Sequence, residues 1–127
     1  SYPNLKVIIA PTTVGIAAAA KVVTDQNLIG KVKITGLGLP SEMADYITNN
    51  ACPYMFLWNP IDVGYLGSYV ATALSSGKIS GKNGEQFTAG RLGSYTIVNA
   101  ADGGTEVLLG PPFKFEPSNI NTWKSVY

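Results

Sequence analysis

Short apolar runs and longer stretches of helical spacing follow one another along the first part of the chain. Val7-Ile8-Ile9-Ala10 is an unbroken apolar run, which predicts a strand over 6–10 covered on both faces. Pro11 ends it, and Thr12 or Thr13 is placed to cap a helix over about 14–26 that is rich in small residues. A second strand is expected over 32–35, followed by Gly36-Leu37-Gly38-Leu39-Pro40 and a helix capped by Ser41 that runs to about 48. Residues 54–58 form a third apolar run. Asn59 then offers an N-cap, Pro60 suits the first helical position, and Asp62 puts a negative charge in the first turn. Leu66, Tyr69, Ala73 and Leu74 continue that helix with regular spacing.

Strand–helix three times over predicts an α/β fold: a parallel sheet with helices on both faces. After residue 77 the character changes. Residues 78–93 are Gly-rich and polar and read as a loop. Strands over 94–98 and 105–109 flank Ala101-Asp102-Gly103-Gly104, which predicts a C-terminal β-hairpin. Ser118 is placed to cap a short last helix holding Ile120 and Trp123.

Composition narrows the chemistry. The 127 residues are one domain's worth of chain, 46% apolar and 13% charged, which is a globular balance. A net charge of +1 with scattered basic residues provides no electrostatic footprint for nucleic acid or an anionic membrane. There is no histidine, which removes imidazole acid–base chemistry, the Ser-His-Asp arrangement and most zinc sites. Cys52 is the single cysteine and, between Ala51 and Pro53, reads as a buried structural thiol. No apolar run reaches the length of a membrane span. The opening SYPNLKVIIA has neither an initiator Met nor a signal-peptide pattern, so a processed or cut piece is expected.

The candidate motifs divide sharply. Gly36-Leu37-Gly38 lies between a strand and a helix, as a dinucleotide loop would, but the third glycine falls at Ser41 and Leu39-Pro40 stiffens the turn. Glu42, Asp45 and Asp62 sit in first turns, where the helix dipole explains them; Glu85, Asp102, Glu106 and Glu116 read as solvated. No acid pair and no metal-ligand spacing emerges, so no catalytic residue, cofactor or metal is predicted. What converges is three strand ends on one sheet edge: 11–13, 36–40 and 58–59. They offer hydroxyls, exposed backbone, an amide and one large aromatic face, a set suited to a small neutral polyol. Capping alone also accounts for one threonine, and core packing also accounts for Trp58.

The runs YPNLKVIIAPTTVGIAAAAKVV, GKVKITGLGLPSEM, LWNPIDVGYLGSYVATALSSGKI, FTAGRLGSYTI and VLLGPPFKF resemble the C-terminal part of type I periplasmic sugar-binding proteins. Within these the chain is most similar to the branch that binds rhamnose or autoinducer-2 and feeds an ABC importer. APTTVG, TGLGLP and LWNP-x-D-x-GYL point to the rhamnose type. The resemblance implies an extracytoplasmic, non-enzymatic protein, free in a periplasm or lipid-anchored, that presents a small sugar to the importer's membrane subunits. It implies a ligand held between two α/β lobes joined by three crossovers, with Pro11, Thr12, Thr13, Leu39, Trp58 and Asn59 on the ligand wall. Ribose-type relatives place Asp where Gly38 stands, which disfavours ribose.

The resemblance also implies a division of the chain. Residues 1–58 are βα units of a C-terminal lobe, 59–78 a crossover and a helix belonging to an N-terminal lobe outside this sequence, and 79–127 the return with hairpin and tail. The helix face carrying Leu66, Val70 and Leu74 then needs that lobe, or a second copy of the chain, as its partner. Two rivals remain: the effector domain of a sugar-responsive transcription repressor, and an autoinducer-2 receptor. An enzyme is disfavoured by the absence of His and of paired acids.

Overall fold

The computed structural model describes residues 2–127. In chain order the elements are β1 (Val7–Ala10), α1 (Thr13–Asp25), β2 (Lys33–Gly36), α2 (Pro40–Thr48), β3 (Met55–Leu57), α3 (Pro60–Ser75), β4 (Gln86–Thr88), a 3₁₀ turn (Gly90–Leu92), β5 (Ser94–Thr96), β6 (Val98–Asn99), β7 (Thr105–Glu106), β8 (Phe113–Phe115) and α4 (Ile120–Trp123). They form two compact units. The first runs to Leu57 and resumes at Pro112; the second is Trp58–Pro111.

In the first unit β1 and β2 pair in parallel, from Val7 opposite Lys33 to Ala10 opposite Gly36. A single parallel bridge, Leu37 to Phe56, carries the pairing on to β3. The other side of β3 is taken by β8, antiparallel, with Met55 opposite Phe115 and Leu57 opposite Phe113. The layer is therefore mixed α/β with a parallel start and an antiparallel edge. Ala10, Ile34, Met55 and Phe115 alternate toward one core, shared with Ile16, Ala20 and Val23 of α1, Met43 and Ile47 of α2, and Ile120 of α4.

The unbroken apolar run in β1 predicted cover on both faces, yet Val7 and Ile9 stand 48% and 73% exposed. The reason is geometric. Successive side chains of a strand point to opposite faces, and α1, α2 and α4 share the core on one of them.

Local signals account for the helices. Thr12 caps α1 by accepting the Gly15 N–H at 3.1 Å, which resolves the choice between the two threonines. Asn59 caps α3 by accepting the Ile61 N–H at 2.9 Å, with Pro60 beside it. Two caps fall elsewhere than expected. Leu39 precedes α2 without a side-chain cap: Pro40 opens that helix with its φ already near the helical value, and the Ser41 N–H is met by the Tyr127 carbonyl at 3.2 Å. Asn119 takes the place expected of Ser118 before α4; its carboxamide accepts from Glu116 N–H and donates to the Lys114 carbonyl.

The second unit is built on α3, whose Leu66 and Ala73 pack with Ile79, Phe87, Ala89 and Ile97. Those four apolar residues pack the segment after α3 against it, and the first unit resumes at Pro112. The stretch read as a loop contains β4, paired antiparallel with β5 from Gln86–Thr96 to Thr88–Ser94. The expected hairpin exists in shortened form, as β6 and β7 closed by Gly104 N–H on the Asp102 carboxylate.

Glu85 organises what precedes β4. Its carboxylate accepts the N–H groups of Ser80, Gly81 and Lys82 and the Ser80 hydroxyl, at 2.8–3.0 Å. The Ser80 N–H first, then the Ser80 hydroxyl and the other two amides, hold this carboxyl below the usual glutamate value. The linkage has a definite sign: a lowered folded-state pKa stabilises at pH above the ordinary glutamate value and is lost as pH falls through the lowered one. Acidification through that range therefore lowers the protection factors of the amides at 80–82, relative to their intrinsic exchange rates, before it affects α3. Glu85→Gln shows the same loss of protection at neutral pH, measured by hydrogen–deuterium exchange; unchanged protection there would refute the assignment.

Candidate functional site

The strand ends of the first unit are stitched together. Leu37 N–H reaches the Ala10 carbonyl at 3.0 Å, and Gly38 N–H reaches the Phe56 carbonyl at 3.2 Å. The Thr35 hydroxyl adds a bond to the Tyr54 carbonyl at 2.9 Å. Two glycines make this possible. Gly36 sits at φ +139, and a Cβ on it would lie 1.9 Å from the Ala10 carbonyl oxygen. A Cβ on Gly38 would lie 2.5 Å from Met55 Sδ and 3.0 Å from Met43 Cγ, so the loop rests directly on the core. A side chain at 38 would force Met55 and Met43 to shift in the core.

This brings Pro11, Thr12 and Thr13, after β1, to the same sheet edge as Leu39, after β2. Trp58 and Asn59 open the second unit, directly after β3 in the chain. Each predicted polar side chain except Thr13 already has a partner. Thr12 Oγ1 caps α1, Asn59 Oδ1 caps α3, and Trp58 Nε1–H donates to the Gly110 carbonyl at 2.7 Å. What they still offer is one Thr12 donor, the Thr13 hydroxyl, the Asn59 amide donors and part of the Trp58 side chain, the residue being 39% exposed. Trp58 is not a core residue. Part of it is exposed and its polar edge is committed.

Sequence reasoning missed the partner of Trp58, since Gly110 lies 52 residues further on. It also read Asp62 as a helix-dipole charge alone. The Asp62 carboxylate pairs with Arg91, whose guanidinium lies over the Tyr65 ring at 4.6 Å. That cluster fastens the 3₁₀ turn to α3 within the second unit. Along α3 lies an apolar cavity of about 490 Å³, lined by Val63, Leu66, Val70, Leu74, Ile97 and Leu109 among others.

Cys52 is fully buried, with its thiol 3.5 Å from the Tyr54 carbonyl. Burial pushes the thiol up to about 11. Cys52 therefore stays unmodified by a maleimide at pH 7.5 while the protein is folded and reacts once it is unfolded in urea. Stoichiometric labelling of the native protein, read by mass spectrometry, would overturn this burial. Among the described residues there is no cluster of metal-ligating side chains and no helix long and apolar enough to cross a membrane.

A strand-end rim on an open α/β layer, carrying the Thr12 and Thr13 hydroxyls, defines the class of open-sheet ligand-binding domains. The chain belongs to the periplasmic binding protein domain family, whose model matches residues 1–79. An ABC transporter solute-binding protein from Clostridium phytofermentas, with bound L-rhamnose, is 60% identical over 98% of this chain, with a TM-score of 0.92. A sugar ABC transporter protein from Actinomyces odontolyticus is 42% identical over 96%, with a TM-score of 0.79. LsrB from Clostridium saccharobutylicum, in complex with AI-2, shares the fold at 22% identity over 96%, with a TM-score of 0.83. The chain spans 41%, 38% and 40% of these three proteins, so it matches less than half the length of each.

Proposed function

We propose that this chain is part of the extracytoplasmic sugar-binding component of an ABC importer, with L-rhamnose as the favoured ligand. The observation that carries the reading is the 60% identity, over 98% of the chain, to a protein with L-rhamnose bound. The residue chemistry supports it independently. A methyl pentose has a C–H surface for the faces of Trp58 and hydroxyls for Thr12, Thr13, Asn59 and the backbone around Pro11 and Leu39. Binding does its work by selecting a closed arrangement of two lobes, which the membrane subunits of the importer then recognise.

In this reading the remainder of the parent protein supplies the second wall of the cleft. It also covers apolar surface that this chain leaves open, namely Val7 and Ile9 on β1 and the cavity along α3. The 127-residue chain by itself then self-associates through these surfaces. A mass equal to the monomer at every concentration, by sedimentation equilibrium, would remove that part of the proposal.

The direct test is calorimetric titration of the full-length protein with L-rhamnose, ribose and AI-2. Binding of L-rhamnose in preference to the other two is expected. Preference for AI-2, or no binding of any of the three, would overturn the rhamnose assignment.

A further inference from the structure

The chain passes from the first unit to the second between Leu57 and Trp58 and returns between Pro111 and Pro112. These two connectors run antiparallel, and on the first-unit side they are tied by the β3–β8 ladder, which ends with Leu57 opposite Phe113. Beyond that pair the returning connector has nothing to donate, because Pro111 and Pro112 both lack an N–H. The next bond across the connectors is made by a side chain: Trp58 Nε1–H to the Gly110 carbonyl, at 2.7 Å. Gly110 is at φ +123, a conformation that glycine adopts freely, and its carbonyl meets the indole there. An indole has one donor and no acceptor, so this bond engages the whole polar capacity of the ring.

We infer that Trp58 is a positioning residue, whose indole N–H clasps the outgoing connector to the returning one. It stands in for the backbone donors that the Pro111-Pro112 pair removes, and so restrains how far the connectors move against each other. The inference rests on the reading of the protein as one that opens and closes about its connectors, and it adds a second, separable job for Trp58. The faces of the ring are for the sugar; the N–H edge is for the hinge.

The two jobs separate in a protein that has never met sugar. In the full-length protein, spin labels at K31C and N83C, both exposed positions in different units, report the distance distribution between the units without ligand. Replacing Trp58 by benzothienylalanine, which keeps the fused ring and exchanges N–H for sulfur, is expected to broaden that distribution. The ratio of restrained to unrestrained populations should fall by roughly fivefold, the equivalent of one ordinary hydrogen bond. Trp58→Phe should broaden it in the same way. Unchanged distributions in both variants, or broadening by Phe alone, would overturn the clasp, since in the second case ring size and not the N–H would be responsible. Because no sugar is present, the result stands or falls independently of which ligand the calorimetry identifies.

Discussion

Phe115→Ala is expected to destabilise the first unit by about 3–5 kcal/mol, the range for removing a fully buried phenylalanine. Phe115 is 0% exposed and lies opposite Met55 on β8, the strand that closes the sheet after the chain has been through the second unit. Its ring meets Phe113 at 5.0 Å, Trp123 at 6.0 Å edge-on and Tyr127 at 6.4 Å edge-on. Truncation leaves a void among rigid aromatic neighbours, which collapse poorly around it. It also loosens α4, since Ile120 belongs to the same core. Urea unfolding followed through tryptophan fluorescence measures the loss; a change below about 1 kcal/mol would mean that β8 is an appendage and not part of the core.

Trp58→Ala is expected to weaken L-rhamnose binding by the full-length protein roughly 10- to 100-fold, about 1.4–2.8 kcal/mol. Two losses combine in this variant. The apolar face that would cover the sugar's C–H surface disappears, and so does the bond from Nε1 to the Gly110 carbonyl. Calorimetry reads the sum. Affinity within twofold of the parent protein would place Trp58 outside the ligand wall. A loss in the alanine variant with near-parent affinity in Trp58→Phe would assign most of the effect to the ring face.

Much of the fold is legible in the order of the residues alone. The strand at 7–10, the caps at Thr12 and Asn59, Pro60 at the start of α3 and the turn at 101–104 all follow from neighbours a few residues apart. The strand-end loops 11–13 and 36–39 are likewise legible, because a βα order puts strand C-termini on one edge. What is not legible has a common feature. Ser41 looks like a cap because its type favours capping, but Pro40 already starts that helix. Residues 86–88 look like loop because Gly84, Gly90 and Gly93 surround them, yet Phe87 is buried against α3's core and draws the segment into a strand.

By itself, then, the sequence determined the α/β class, the order of the first three strands and helices and the absence of imidazole chemistry. These rest on propensity, periodicity and side-chain type, which act over a handful of residues. Only the tertiary structure decided that β8 pairs with β3, that helices cover β1 on one face, that Glu85 gathers three amides, and that the Trp58 N–H belongs to Gly110. Apart from the Glu85 turn, these depend on which distant segments the packed core brings together. A hydrogen-bond donor carries no label for a partner 52 residues away until burial and chain closure have selected one.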